Sequence, residues 1–77
     1  MRLSRESTGK ILRKYRAAAG LTQCKAAELI ESNVPTLWRY EHGERMPNLD
    51  TMQRIARVYD FSLDAFVEDV IADQAEK

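Results

Sequence analysis

Cysteine and histidine are almost missing from this chain: Cys24 and His42 are the only ones in 77 residues. One cysteine cannot close an internal disulfide, which fits a reducing compartment. One cysteine and one histidine cannot supply the usual ligand set of a zinc site, so no metal or other cofactor is expected. Long apolar runs are also lacking. None approaches the roughly 18 residues of a membrane span, and the opening "MRLSREST" is too polar for a signal peptide. A cytoplasmic protein with no membrane partner is expected. β-branched residues are few and do not alternate with polar ones, so strand signals are nearly absent.

What remains is a helical, strongly charged chain. Its length implies one domain with one small core. Charged residues make up 31% and hydrophobic ones 44%, a globular rather than a disordered balance. The formal net charge is zero, but the charge is divided. Residues 1–59 carry 11 Lys and Arg against 6 Asp and Glu, a net of +5, and residues 60–77 carry 1 against 6, a net of −5. A basic body with an acidic tail suits a polyanion partner, although solvated charge on helix surfaces gives the same count.

Helix starts and stops are dense. A first helix is expected from Ser7 to Ala19, stopping at Gly20, with Leu12, Tyr15 and Ala19 as its buried stripe. Thr22 is a good N-cap for a second helix containing Ala26, Ala27 and Ile30. Asn33 caps a third, with Leu37 and Tyr40 inward, and Gly43 suits its left-handed terminus. Pro35 falls in the first turn, where its missing N–H does no harm. Asn48 caps a fourth helix with Leu49, Met52, Ile55, Ala56 and Tyr59 inward. Ser62 caps a fifth with Leu63, Phe66, Val67, Val70 and Ile71 apolar. The expected fold is all-α, a compact five-helix bundle. Tight turns leave little room for a catalytic cleft, and the chain carries no triad or phosphate-cradling glycine loop, so an enzyme is not expected.

The second and third helices, "TQCKAAELIESNVPTLWRYEHGE", are short and separated by a tight turn. That is the pattern of a helix-turn-helix. Here the chain resembles the phage-repressor-type (Cro/repressor, lambda-repressor-like) DNA-binding domains. The matching pieces are "GLTQ" at 20–23, "AAELI" at 26–30, "YEHGERMPNLDTM" at 40–52 and "FSLDAF" at 61–66. The resemblance aligns without a gap from about Gly9 to Phe66, most of the chain.

The resemblance implies roles. Gln23 would contact a DNA phosphate, and the third helix would enter the major groove with Asn33, Val34, Pro35 and Thr36 toward base edges. Arg39 would reach a base or phosphate, and Arg45 would hold the backbone. Arg16 and Glu41 match a structural ion pair that ties the first helix to the third. Trp38 is read three ways: peripheral core beside the first helix, DNA edge, or surface for a protein partner. His42 is read as a C-terminal-turn residue, with phosphate contact as the other option, and Cys24 as a small filler.

Some residues depart from the family. Glu31 and Ser32 occupy the turn, where the family usually has glycine and an aliphatic residue. Val34 and Pro35 are apolar where most members carry polar side chains. They can pack on a thymine methyl, which leaves the main base hydrogen bonds to Arg39, favouring guanine.

Val67, Val70 and Ile71 continue the apolar stripe of the fifth helix past the usual end of the domain. They either fold onto the same core or form a two-fold dimer contact. The chain therefore divides into a DNA-binding domain, 1–66, and a C-terminal extension with an acidic tail, 67–77. The expected function is sequence-specific binding of double-stranded DNA by a homodimeric transcriptional repressor at an inverted repeat. The alternatives are an antitoxin-type autorepressor and a protein-interaction adaptor that has lost DNA binding.

Overall fold

Five side chains start the five helices. Ser4, Thr22, Asn33, Asn48 and Ser62 each adopt an extended backbone, and each side-chain oxygen accepts the N–H three residues on, at 2.8–3.4 Å. Each such cap contributes about 1 kcal/mol to its helix. The computed structural model describes residues 2–76, and positions 1 and 77 lie outside them. In chain order the helices are α1 (Arg5–Ala18), α2 (Gln23–Leu29), α3 (Val34–Glu41), α4 (Leu49–Tyr59) and α5 (Leu63–Ala75). No strand forms among the described residues.

α1 packs against both α3 and α5, and α2 packs against α3. Leu12, Ile30, Leu37, Ile55, Phe66 and Val70 are fully buried where these helices meet. Tyr15, Phe61 and Phe66 stack at one side of this core, with ring centroids 4.8–5.7 Å apart.

Gly9 permits the α1–α3 contact. A Cβ there would lie 2.3 Å from the Tyr40 carbonyl oxygen and 2.7 Å from that of Glu41. Any larger residue would push α3 off α1.

Several expected positions move. α1 begins at Arg5, capped by Ser4, and Ser7 lies inside the helix, fully buried. The buried stripe also differs. Ile11 joins Leu12 in the core, while Ala19 is the exposed C-cap. Leu49 is 80% exposed, not inward, because it is the first residue of α4 and points away from the side that Ile55 and Tyr59 bury. Leu63, likewise at the start of α5, is 37% exposed.

Val70 is one of the residues expected either on the core or at a subunit contact. It is 0% exposed within the single chain, because the second half of α5 lies along α1 and turns this residue inward. That packing is held by polar contacts. Asp69 accepts a hydrogen bond from the Tyr15 hydroxyl, Asp73 pairs with Lys10 at 2.9 Å, and the Gln74 side chain accepts the Ser4 N–H. Part of the acidic tail is therefore engaged with the basic face of α1. The Asp69 bond is the main reason the Tyr15 pKa is pushed up to about 12.

Candidate nucleic-acid interface

The turn between α2 and α3 sets where α3 points. Ile30 is the C-cap of α2 and is fully buried. Glu31 follows in the left-handed region at φ 58°. Its N–H donates to Glu28 O at 3.1 Å, and the Ser32 N–H donates to Ala27 O at 2.8 Å. These are the two bonds of a Schellman terminus, which normally places glycine where Glu31 stands. From α4, Arg54 Nη1 donates to Ile30 O at 3.3 Å, across the same turn.

α3 then has eight residues and two faces. Leu37, Tyr40 and Glu41 are buried. Val34 is 38% exposed and Trp38 41%, and Asn33, Pro35 and Arg39 are also exposed, whereas Thr36 is half-buried. The Asn33 side-chain carbonyl is committed to the Thr36 N–H at 2.9 Å, which leaves its amide hydrogens facing outward. The first turn of α3 is thus a projecting apolar and amide surface with Arg39 one turn further on.

The buried Glu41 anchors this helix. Arg16 donates to it twice, Nε to Oε2 at 2.6 Å and Nη2 to Oε1 at 3.1 Å. The same guanidinium donates from Nη1 to Leu21 O at 2.8 Å, which ties in the loop before α2. The Glu41 side chain is 0% exposed and that of Arg16 13%. A bidentate pair so shielded fixes orientation, and removing one partner strands a buried charge. Tyr59 packs beside it. Its pKa is pushed up to about 12, mainly by burial, with the Glu41 charge adding and Arg16 opposing.

Gln23, expected on a phosphate, donates from Nε2 to Glu41 Oε1 at 3.0 Å. In the free chain it belongs to the anchor, with one amide hydrogen uncommitted. Next to it lies an open cleft of about 470 Å³ lined by Arg13, Arg16, Thr22, Gln23, Trp38 and His42. Trp38 is 41% exposed beside the first helix. Its ring stacks on His42, centroids 3.8 Å apart and 17° from parallel, at the mouth of this cleft.

The geometry gathers Arg16, Gln23, Trp38 and Glu41 into one cluster. Asn33, Val34, Pro35 and Thr36 form the projecting turn. Arg39 and Arg45 are exposed but lie outside the cleft lining. Arg13 was not singled out as a binding residue in the sequence, and His42 only with phosphate contact as its second option, yet both line the cleft. Arg13 stands three residues before Arg16 on α1, a spacing that puts both on one helix face and could have flagged it. For His42 only the stack with Trp38 provides the signal.

A bundle whose second and third helices form this unit, with a short exposed helix held by a buried ion pair, defines a helix-turn-helix domain. The helix-turn-helix family model HTH_3, of the Cro/C1 type, matches residues 12–66, and the chain belongs to this family. Its members are DNA-binding transcriptional regulators, not enzymes. The HTH-type transcriptional regulator ImmR of Bacillus subtilis (strain 168) is 38% identical over 58 residues. That match covers 75% of this chain, which spans about half (46%) of ImmR.

Among solved structures, two of the clp gene regulator ClgR from Corynebacterium glutamicum superpose with TM-scores of 0.83 and 0.88, each at 22% identity. They cover 88% and 92% of this chain and 87% and 76% of the ClgR chains. A mutant of the restriction-modification controller protein C.Esp1396I superposes at 0.84 and 17% identity, covering 97% of both chains. At these identities the superpositions establish the shared fold. Among the described residues, no helix is long and apolar enough to cross a membrane.

Proposed function

We propose that this chain is a sequence-specific repressor that acts in the cytoplasm by binding double-stranded DNA as a homodimer at an inverted repeat. The observation that carries the proposal is the projecting first turn of α3 beside a cleft lined by Arg13 and Arg16. Asn33, Val34, Pro35 and Thr36 face the base edges. Val34 and Pro35 pack on thymine methyls, and Arg39 donates to guanine O6 and N7. Gln23 gives its free amide hydrogen to a phosphate, Trp38 lies along the sugar-phosphate edge, and Arg45 holds the backbone beyond α3.

The dimer contact uses the outer face of α5. Leu63 and Val67 are one helical turn apart and each more than a third exposed, and half-buried Ile71 extends the stripe. A two-fold pair would place the two recognition helices about 34 Å apart, one turn of DNA.

Selection of random duplexes by the purified protein tests this reading, with Arg39→Ala as the comparison. An inverted repeat should be enriched, and Arg39→Ala should weaken binding to it by about 1–3 kcal/mol. Affinity should fall steeply with salt, as phosphate contacts displace counterions. Replacing thymine by uracil in the half-site should weaken binding at the pairs that Val34 and Pro35 touch. No enrichment even at low salt would sink the proposal and turn attention to a protein partner at the exposed Val34, Pro35 and Trp38 surface.

A further inference from the structure

His42 stands in the cleft with its ring orientation and its tautomer both set. Nδ1 lies 2.9 Å from the Trp38 carbonyl oxygen, and the ring is clamped flat against the Trp38 indole. A carbonyl oxygen only accepts, so Nδ1 carries the hydrogen. In the neutral ring Nε2 is then a bare lone pair. It sits on the opposite edge of the ring, turned away from the helix backbone.

A DNA phosphate oxygen is also an acceptor. Neutral His42 therefore has nothing to offer it, and the two lone pairs repel. Protonation of Nε2 by solvent reverses this, giving a charge-assisted donor already held in place.

The charged groups facing the ring are few. α1 contributes Arg13 and Arg16, and α2 contributes only the neutral Thr22 and Gln23. On α3 the Glu41 carboxylate is taken up by Arg16 and Gln23.

We propose that His42 is a proton-linked phosphate contact: each protomer takes up a proton on His42 Nε2 as it binds DNA, so acid strengthens binding. This rests on the reading of the cleft as phosphate-facing, and it adds a pH dependence to the phosphate contact that was one of two options for His42.

The test measures affinity for a duplex carrying the selected repeat, at constant salt, from about pH 8 down to about pH 5.5, the range in which an imidazole changes charge. Wild-type affinity should rise roughly tenfold per protomer across that range. His42→Gln keeps an amide donor that does not titrate, so its affinity should stay nearly flat. Calorimetry in buffers of different ionisation enthalpy should show proton uptake by the wild type and none by the variant. If both proteins bind with the same pH dependence, the proton linkage is wrong while the DNA-binding reading survives. If neither binds at any pH, the DNA-binding reading fails and takes this inference with it.

Discussion

The ends of α1 and α2 adopt the same geometry with different residues. At the end of α1, Gly20 N–H donates to Ala17 O at 3.0 Å and Leu21 N–H to Arg16 O at 3.2 Å, with Gly20 at φ 74°. At the end of α2 the equivalent bonds run from Glu31 to Glu28 and from Ser32 to Ala27, with Glu31 at φ 58°. Glycine reaches this region freely, whereas a side chain bearing a Cβ is strained there by about 1–2 kcal/mol. The end of α1 is therefore locally encoded. The end of α2, which aims the recognition helix, is imposed from outside by the burial of Ile30 and by Arg54 across the turn.

The comparison can be broken most severely at Ile30. Ile30→Ala should remove about 3 kcal/mol in chemical denaturation, because it empties a fully buried site and frees the strained turn. A loss under about 1 kcal/mol would mean that the core does not hold this turn.

Gly20→Ala should cost about 1 kcal/mol. A Cβ there meets nothing within 4 Å, so strain at positive φ is the whole effect. Glu31→Gly sharpens the comparison from the other side and should stabilise the fold by about 0.5–1 kcal/mol. If it destabilises instead, Glu31 makes a contact that outweighs its strain. The thermal midpoint would report either sign.

Much of this fold was legible locally. Thr22, Asn33, Asn48 and Ser62 act as caps, and Gly20 and Gly43 as stops, because capping depends on residues three or four apart. The first helix was misplaced because Ser4 and Ser7 are both plausible caps. Only the packing of Ser7 under the bundle decides between them. Leu49, at the start of α4, was placed inward for a related reason. An apolar residue at a helix end satisfies a sequence pattern on either side, and the docking angle chooses which side is buried. Within the candidate site, the Arg16–Glu41 pair was accessible through family likeness. The Gln23–Glu41 bond and the Trp38–His42 stack were not. Gln23 and Glu41 lie 18 residues apart, and nothing in the chain between them signals that they meet.

By itself, the sequence determined that this chain is all-helical, where α2 to α5 begin, and which short helix projects Val34, Pro35 and Arg39. Those outcomes follow from caps, periodicity and backbone sterics within a turn or two of each residue. Only the tertiary structure decided that Val70 belongs to the core, that Glu31 accepts a left-handed backbone, and that His42 stacks on Trp38 in an arginine-lined cleft. Each depends on how closely α1, α3, α4 and α5 approach one another, as Gly9 does against the Tyr40 carbonyl. Close packing sets such distances across the whole core at once, and no local stretch of the chain contains them.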